Sequence, residues 1–265
     1  MNETSILLLG FQNNQTVDTL LFVVILWIYI LTLSWNFLLI MLVVKFPALR
    51  SPMYVLLSQL ALSDMLLTTN ITPNFLWLLL SGGGRILITG CITQFYFNGV
   101  STAIECLLLT VMSYDRYLAI GNPLRYGSVI NFRLCVFMSF FSWSSSFMVA
   151  LVLEILVLNL KFCGPFILDH YFCDFSPLVE LSCSDYKTIE VLDIILTIPF
   201  LVFPFCFIIY TYVSIGLAIL RISSNEGRHK AFSTCSSHLI VVCTYFGTLI
   251  TVYMVPSKGH AFNMS

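Results

Sequence analysis

The chain has 265 residues, 58% of them hydrophobic and only 9% charged, with a formal net charge of -1. So apolar a composition excludes a soluble enzyme and points to a polytopic membrane protein. With 12 Lys and Arg against 13 Asp and Glu, no basic surface exists to neutralise a run of phosphates, which excludes a nucleic-acid partner.

Residues 1–19 carry neither a positive flank nor a small-residue cleavage site. They read as a tail rather than a removable signal peptide, so the first apolar span directs insertion. Neither end carries a lipidation signal. Asn2-Glu3-Thr4 and Asn14-Gln15-Thr16 are N-glycosylation sequons, usable if this tail is lumenal.

Six runs are long enough to cross a hydrocarbon core of about 30 Å. They cover residues 20–44, 53–80, 91–120, 134–160, 191–220 and 231–255. All are predicted helices, because an unpaired strand edge cannot face lipid. The second run carries Ser58, Gln59, Ser63, Asp64, Thr68, Thr69, Asn70 and Pro73, so much of its length must face other helices. A third sequon, Asn70-Ile71-Thr72, falls inside this helix and out of reach of glycosylation. Gly82-Gly83-Gly84 follows as a flexible connection, without the Lys-Ser/Thr of a phosphate-binding loop.

Lys and Arg set the orientation. Eight lie in the turns after the first, third and fifth spans: Lys45, Arg50, Arg116, Arg125, Arg133, Arg221, Arg228 and Lys230. Four lie on the other side: Arg85, Lys161, Lys187 and Lys258. The odd-numbered turns are therefore expected in the cytoplasm and the N-terminus outside.

The long loop after the fourth span holds Cys163, Cys173 and Cys183 at ten-residue spacing, and Cys91 opens the third span on the same side. Four cysteines in an oxidising compartment suggest two disulfides, and sequence alone allows three pairings. A zinc site with His170 is the competing reading, disfavoured by the absence of tight C-x-x-C spacing. Cys106, Cys135, Cys206, Cys235 and Cys243 lie in or beside helices and read as small buried apolar residues.

Charge is expensive in lipid, which singles out Asp115-Arg116 at the end of the third span. There Arg116 either pairs with Asp115 or reaches polar groups on the sixth helix, a two-position switch. The plainer alternative is an arginine snorkelling to the interface. Tyr212 and Ser233 to Ser237 are the candidate second-position partners, unless they merely satisfy nearby carbonyls. Asp64 and Glu105, with Asn36 at comparable depth, either hold a sodium ion or share a proton; alternatively, one acid is simply buried in its neutral form. Lying near the bilayer midplane, these carboxyls do not suit a glycosidase or protease. No nucleophile, zinc signature or phosphate loop accompanies them, so no catalytic residue is assigned.

Several segments together carry a specific likeness. They are Pro52-Met53-Tyr54, Leu60-Ala61-Leu62-Ser63-Asp64, Ser113-Tyr114-Asp115-Arg116-Tyr117-Leu118-Ala119-Ile120, Asn122-Pro123-Leu124-Arg125-Tyr126 and Lys230-Ala231-Phe232-Ser233-Thr234-Cys235-Ser236-Ser237-His238-Leu239. On these, the chain resembles the odorant (olfactory) receptor family of rhodopsin-like G-protein-coupled receptors over essentially its whole length. The resemblance implies an all-α, polytopic transmembrane helix bundle at 20–256, with an extracellular tail at 1–19 and a short extracellular end at 257–265. It implies the disulfides Cys91 to Cys173 and Cys163 to Cys183, and favours sodium at Asn36, Asp64 and Glu105. Asp115, Arg116, Tyr117 and Tyr212 become the G-protein switch. Matching span positions nominate Asn98, Gly99, Thr102, Ala103, Thr197, Phe200, Phe246, Ile250 and Tyr253 as lining for a small, volatile, largely hydrophobic odorant. No cofactor is implied. The implied partner is a heterotrimeric G protein of the stimulatory olfactory type, at the plasma membrane.

The chain departs from the family pattern in several places. Ser265 falls nine residues after Pro256, so six spans stand where seven are usual, and the last helix with its Asn-Pro-x-x-Tyr motif has no counterpart. Its loss is expected to uncover polar faces and impair folding or signalling, with retention in the endoplasmic reticulum. The alternative function is then a truncated, non-signalling remnant, inert or acting by association with intact receptors. Trp35 stands where glycine is usual, Arg50 where histidine is, and Gly121 where cysteine is, while Tyr245-Phe246 reverses a Phe-Tyr order. A transporter, the remaining class, should show duplicated halves, and none is found.

Overall fold

The computed structural model describes residues 5–10, 14–163, 166–168, 170–184, 187–221 and 224–254, with the side chains of 230, 234, 253 and 254 outside the description. Residues 1–108 with 130–203 form one unit, and 109–129 with 204–265 a second. Long helices dominate: α1 (Gln15–Lys45), α2 (Pro52–Ser81), α3 (Ile88–Gly121), α5 (Phe132–Leu158), α7 (Lys187–Leu220) and α8 (Asn225–Met254). Two short helices, α4 (Pro123–Val129) and α6 (Phe175–Glu180), lie in the connections. Each long helix overlaps one of the six runs read from the sequence.

Five of them, all but α2, are long and apolar enough to cross a membrane, so the chain is a multi-pass membrane protein. The polar residues of α2 break its apolar run, as the sequence shows. Helix α1 is apolar on all sides and buries only Asp18 and Val43, the pattern of a helix in lipid. It packs along α2. Its C-terminus is closed by Arg50, whose Nη2 donates to the Val44 carbonyl at 2.7 Å, which gives the unusual arginine a local role. Pro52 then opens α2 at a position where its missing N–H has no helical partner anyway.

In the first unit α2 also packs on α5, whose Ser139, Ser142 and Ser146 are buried along one face. Small side chains let helix backbones approach closely in a membrane. Trp143 Nε1 donates to Gln59 Oε1 at 3.1 Å, giving the indole a partner within the bundle.

One end of this unit is closed by a small sheet that was not expected from the sequence. Strand β1 (Ser5–Leu8) lies between β2 (Gly84–Leu87), antiparallel, and β3 (Ile167–Leu168), parallel. Residues 5–8 of the predicted tail thus form the central strand, and residues 15–19 already belong to α1. Ile6 and Leu8 point down into a core with Leu78, Ile92, Phe95, Leu153, Val157 and Leu178. The three glycines are likewise structured rather than flexible. Gly82 ends α2 in the left-handed conformation (φ 63°), and a Cβ on Gly84 would overlap the Trp77 ring.

Two disulfides, Cys91–Cys173 and Cys163–Cys183, anchor the loop that carries β3 and α6. Both have the implied pairing, and they consume the sulfurs that a zinc site would need. Cys106, Cys135 and Cys235 are buried as expected, but Cys206 and Cys243 are exposed on their helices. In the second unit Ile215, Ile219 and Cys235 form a core with Tyr117, Ile120, Tyr212 and Ala231 packed against it.

Candidate functional site

The second unit contains the predicted switch, with its arginine held locally. Asp115 is 1% exposed and Arg116 15%, and Nη2 of Arg116 lies 3.1 Å from Oδ2 of Asp115. The other carboxylate oxygen accepts a hydrogen bond from the Tyr126 hydroxyl at 3.0 Å. Tyr126 reaches it because α4 folds back directly after α3, the N–H groups of Arg125 and Tyr126 both donating to the Asn122 carbonyl. Proline at the first position of α4 starts this turn without forfeiting a needed donor. Arg116 Nε has no hydrogen-bond partner among the described residues, so the guanidinium retains donor capacity for a second arrangement.

Tyr212 is engaged elsewhere. Its hydroxyl is hydrogen-bonded to His238 Nδ1, and the two rings stack at 5.9 Å. His238 is buried on α8, so one side-chain pair ties α7 to α8. Arg116 is close enough to Tyr212, Cys235 and His238 to act on each electrostatically. Tyr117 packs in the same core and makes ring contacts with Tyr114 at 6.4 Å and Tyr210 at 6.5 Å. Of the predicted serine partners, Ser236 donates to the Ser233 carbonyl, the plainer of the two readings.

The deep carboxyls lie in the first unit. Asp64 on α2 and Glu105 on α3 are in side-chain hydrogen-bond contact. Two carboxylates offer only acceptors, so the pair needs a proton or cation between them. Ser63 Oγ lies 3.3 Å from both Glu105 Oε1 and the Ser101 carbonyl, while Ser101 Oγ is buried without a hydrogen-bond partner among the described residues. Asn36 is half-buried on α1, and no hydrogen bond joins it to either acid among the described residues.

The nominated ligand residues divide between the units. In the first, Asn98 and Ala103 are buried, and Gly99, Thr102, Thr197 and Phe200 are half-buried. Thr197 donates to Asp193 Oδ1 at 3.5 Å, and a Cβ on Gly99 would lie 3.9 Å from that of Ala150. In the second, Phe246 is buried against Phe205 at 5.1 Å and Ile250 is exposed; the Tyr253 side chain lies outside the described residues. Of the sequons, Asn2 is outside the described residues. Asn14 is exposed before α1 without capping it, and Asn70 is engaged inside the bundle.

A family model described as olfactory receptor matches residues 25–264. The chain is 41% identical to human olfactory receptor 10A7 over 258 residues, covering 97% of this chain and 82% of that one. It is 39% identical to human olfactory receptor 6P1, at 97% and 81% coverage, and 40% identical to human olfactory receptor 2A12, at 97% and 83%.

The chain belongs to the olfactory receptor family.

Olfactory receptors are G-protein-coupled receptors and not enzymes, in keeping with the absence of an assigned catalytic residue. In this olfactory receptor two members of the side-chain cluster around Asp115 and Tyr212 were not legible in the sequence. Tyr126 and His238 stood only as letters of matching segments, and no role was read for either. A signal for His238 was available: it lies three residues after Cys235 on the same helical face, directly before the apolar run Leu239 to Cys243. A ring there needs a polar partner from a neighbouring helix. Nothing local marks Tyr126, whose role depends on α4 turning back on α3.

Proposed function

We propose that this receptor binds small, largely hydrophobic odorants within its helix bundle and activates a heterotrimeric G protein of the stimulatory olfactory type. The observation that carries the reading is the doubly held Asp115, gripped by Arg116 and Tyr126 beside a Tyr212–His238 pair linking α7 to α8. These contacts describe the resting arrangement. Activation exchanges partners: Arg116 leaves Asp115, Tyr212 leaves His238, and α8 swings away from α7 to admit a helix of the G protein. Nothing covalent is needed, only that agonist and G protein bind the second arrangement better than the first.

In this reading the odorant-lining residues of the first unit are Asn98, Gly99, Thr102, Ala103, Thr197 and Phe200, while Phe246 and Ile250 are nominated separately in the second. Their mix of apolar surface and a few polar groups suits a small hydrophobic molecule. In this reading the N-terminus lies outside and Asp115 and Arg116 lie at the cytoplasmic face of the plasma membrane, an orientation that the Lys and Arg distribution favours. The oxygens of Ser63, Asp64, Ser101 and Glu105 fit a hard cation such as sodium, and the Ser101 hydroxyl, without a hydrogen-bond partner among the described residues, supports that assignment. Bound there, sodium would neutralise the paired acids. The side chains themselves join α2 to α3.

Loading of a GTP analogue on the stimulatory olfactory G protein, in membranes containing surface-labelled receptor, tests the proposal. Odorant-dependent loading is expected. Its absence across a broad panel of hydrophobic volatiles, with the receptor at the surface, contradicts it.

A further inference from the structure

Cys173 lies ten residues from Cys163 and ten from Cys183, yet it pairs with Cys91 at a separation of 82 residues. For an unstructured chain, closure entropy favours the ten-residue loop over the 82-residue one by about twentyfold. Some feature of the fold must reverse that preference. One turn after Cys91 on α3 stands Gln94, 3% exposed and fully engaged. Its Oε1 accepts the backbone N–H of Cys173 at 2.9 Å. Its Nε2 donates to the Asn70 carbonyl at 3.0 Å, and Asn70 Nδ2 donates to the Gln94 carbonyl at 2.8 Å. Because the Gln94 donor is committed to a backbone acceptor on α2, its oxygen can face only Cys173.

We propose that Gln94 is a positioning residue that selects the disulfide partner of Cys173. The carboxamide, oriented by its clasp with Asn70, holds the Cys173 backbone where its sulfur meets Cys91 and not Cys163 or Cys183. A buried hydrogen bond left unmade shifts an equilibrium by about fivefold or more, a fair share of the entropic bias. Cys91 and Cys173 are themselves fully buried, so once formed the correct pair is shielded from exchange.

The test is disulfide mapping by mass spectrometry on the alkylated, unreduced full chain recovered from cell membranes. Gln94→Met removes both polar atoms at similar length, whereas Gln94→Glu retains an acceptor for Cys173. Bridges from Cys173 to Cys163 or Cys183 are expected to rise about fivefold in Gln94→Met and to rise less in Gln94→Glu, which keeps the acceptor for Cys173 but loses the donor to Asn70. Combining Gln94→Met with Cys163→Ser and Cys183→Ser removes the competitors and is expected to restore the Cys91–Cys173 bridge. The proposal is overturned if Gln94→Met pairs like the wild type, if Gln94→Glu mispairs as badly as Gln94→Met, or if the bridge fails without competitors present.

Discussion

Tyr126 and Arg116 divide one carboxylate between them: the Tyr126 hydroxyl donates to Oδ1 of Asp115 at 3.0 Å, and Arg116 lies 3.1 Å from Oδ2. Holding both oxygens keeps Asp115 oriented toward Arg116. Because Asp115 is buried, a hydrogen bond to its charge contributes about 1.5–3 kcal/mol. Tyr126→Phe removes that support, so basal cAMP in cells expressing the receptor should rise several-fold at matched surface level. Unchanged basal signalling would detach Tyr126 from the switch.

The Tyr212–His238 pair makes a separable prediction. Tyr212→Phe and His238→Ala each break the same bond, so their effects on basal activity should not add. A double-mutant cycle should return a coupling of about 0.5–3 kcal/mol. Additive effects would mean the two side chains act independently.

At the sheet end, Ile6 and Leu8 are fully buried while Leu7 is only partly so. Ile6→Asn should lower the thermal inactivation temperature of detergent-solubilised receptor, since it forfeits about 1.5–3 kcal/mol of burial. Leu7→Asn should cost markedly less. Equal losses would show that β1 is not inserted as described.

Gly84 tests the close approach to Trp77. Gly84→Ala should destabilise the receptor because its methyl overlaps the indole, and Trp77→Ala should relieve most of that loss. If the second change brings no recovery, the strain lies elsewhere.

Sodium dependence examines the paired carboxyls. Replacing sodium with choline should lower the thermal stability of the wild type and leave Glu105→Ala unaffected. A choline effect of equal size in the variant would place the cation at another site.

Five of the six long helices were legible because each is an apolar run long enough to span lipid, a property of consecutive residues. Asp115-Arg116 was legible because charge stands out against such a run. Strand β1 was not, since Ser5 to Leu8 make a strand only by pairing with residues 84–87 and 167–168, far away in the chain. The three glycines looked flexible because neither the left-handed turn at Gly82 nor the Trp77 ring over Gly84 is encoded locally. Gln94 escaped notice for the same reason: its three hydrogen bonds reach Asn70 on α2 and Cys173 in a loop nearly eighty residues on. The resemblance supplied the disulfide pairing, where spacing alone left three possibilities open.

The most direct test of the account is odorant-evoked cAMP in cells carrying wild-type receptor or Arg116→Ala at equal surface density. A concentration-dependent rise in the wild type, absent from Arg116→Ala, is predicted. A wild type silent to every odorant tested, or an Arg116→Ala variant that responds equally, would contradict it.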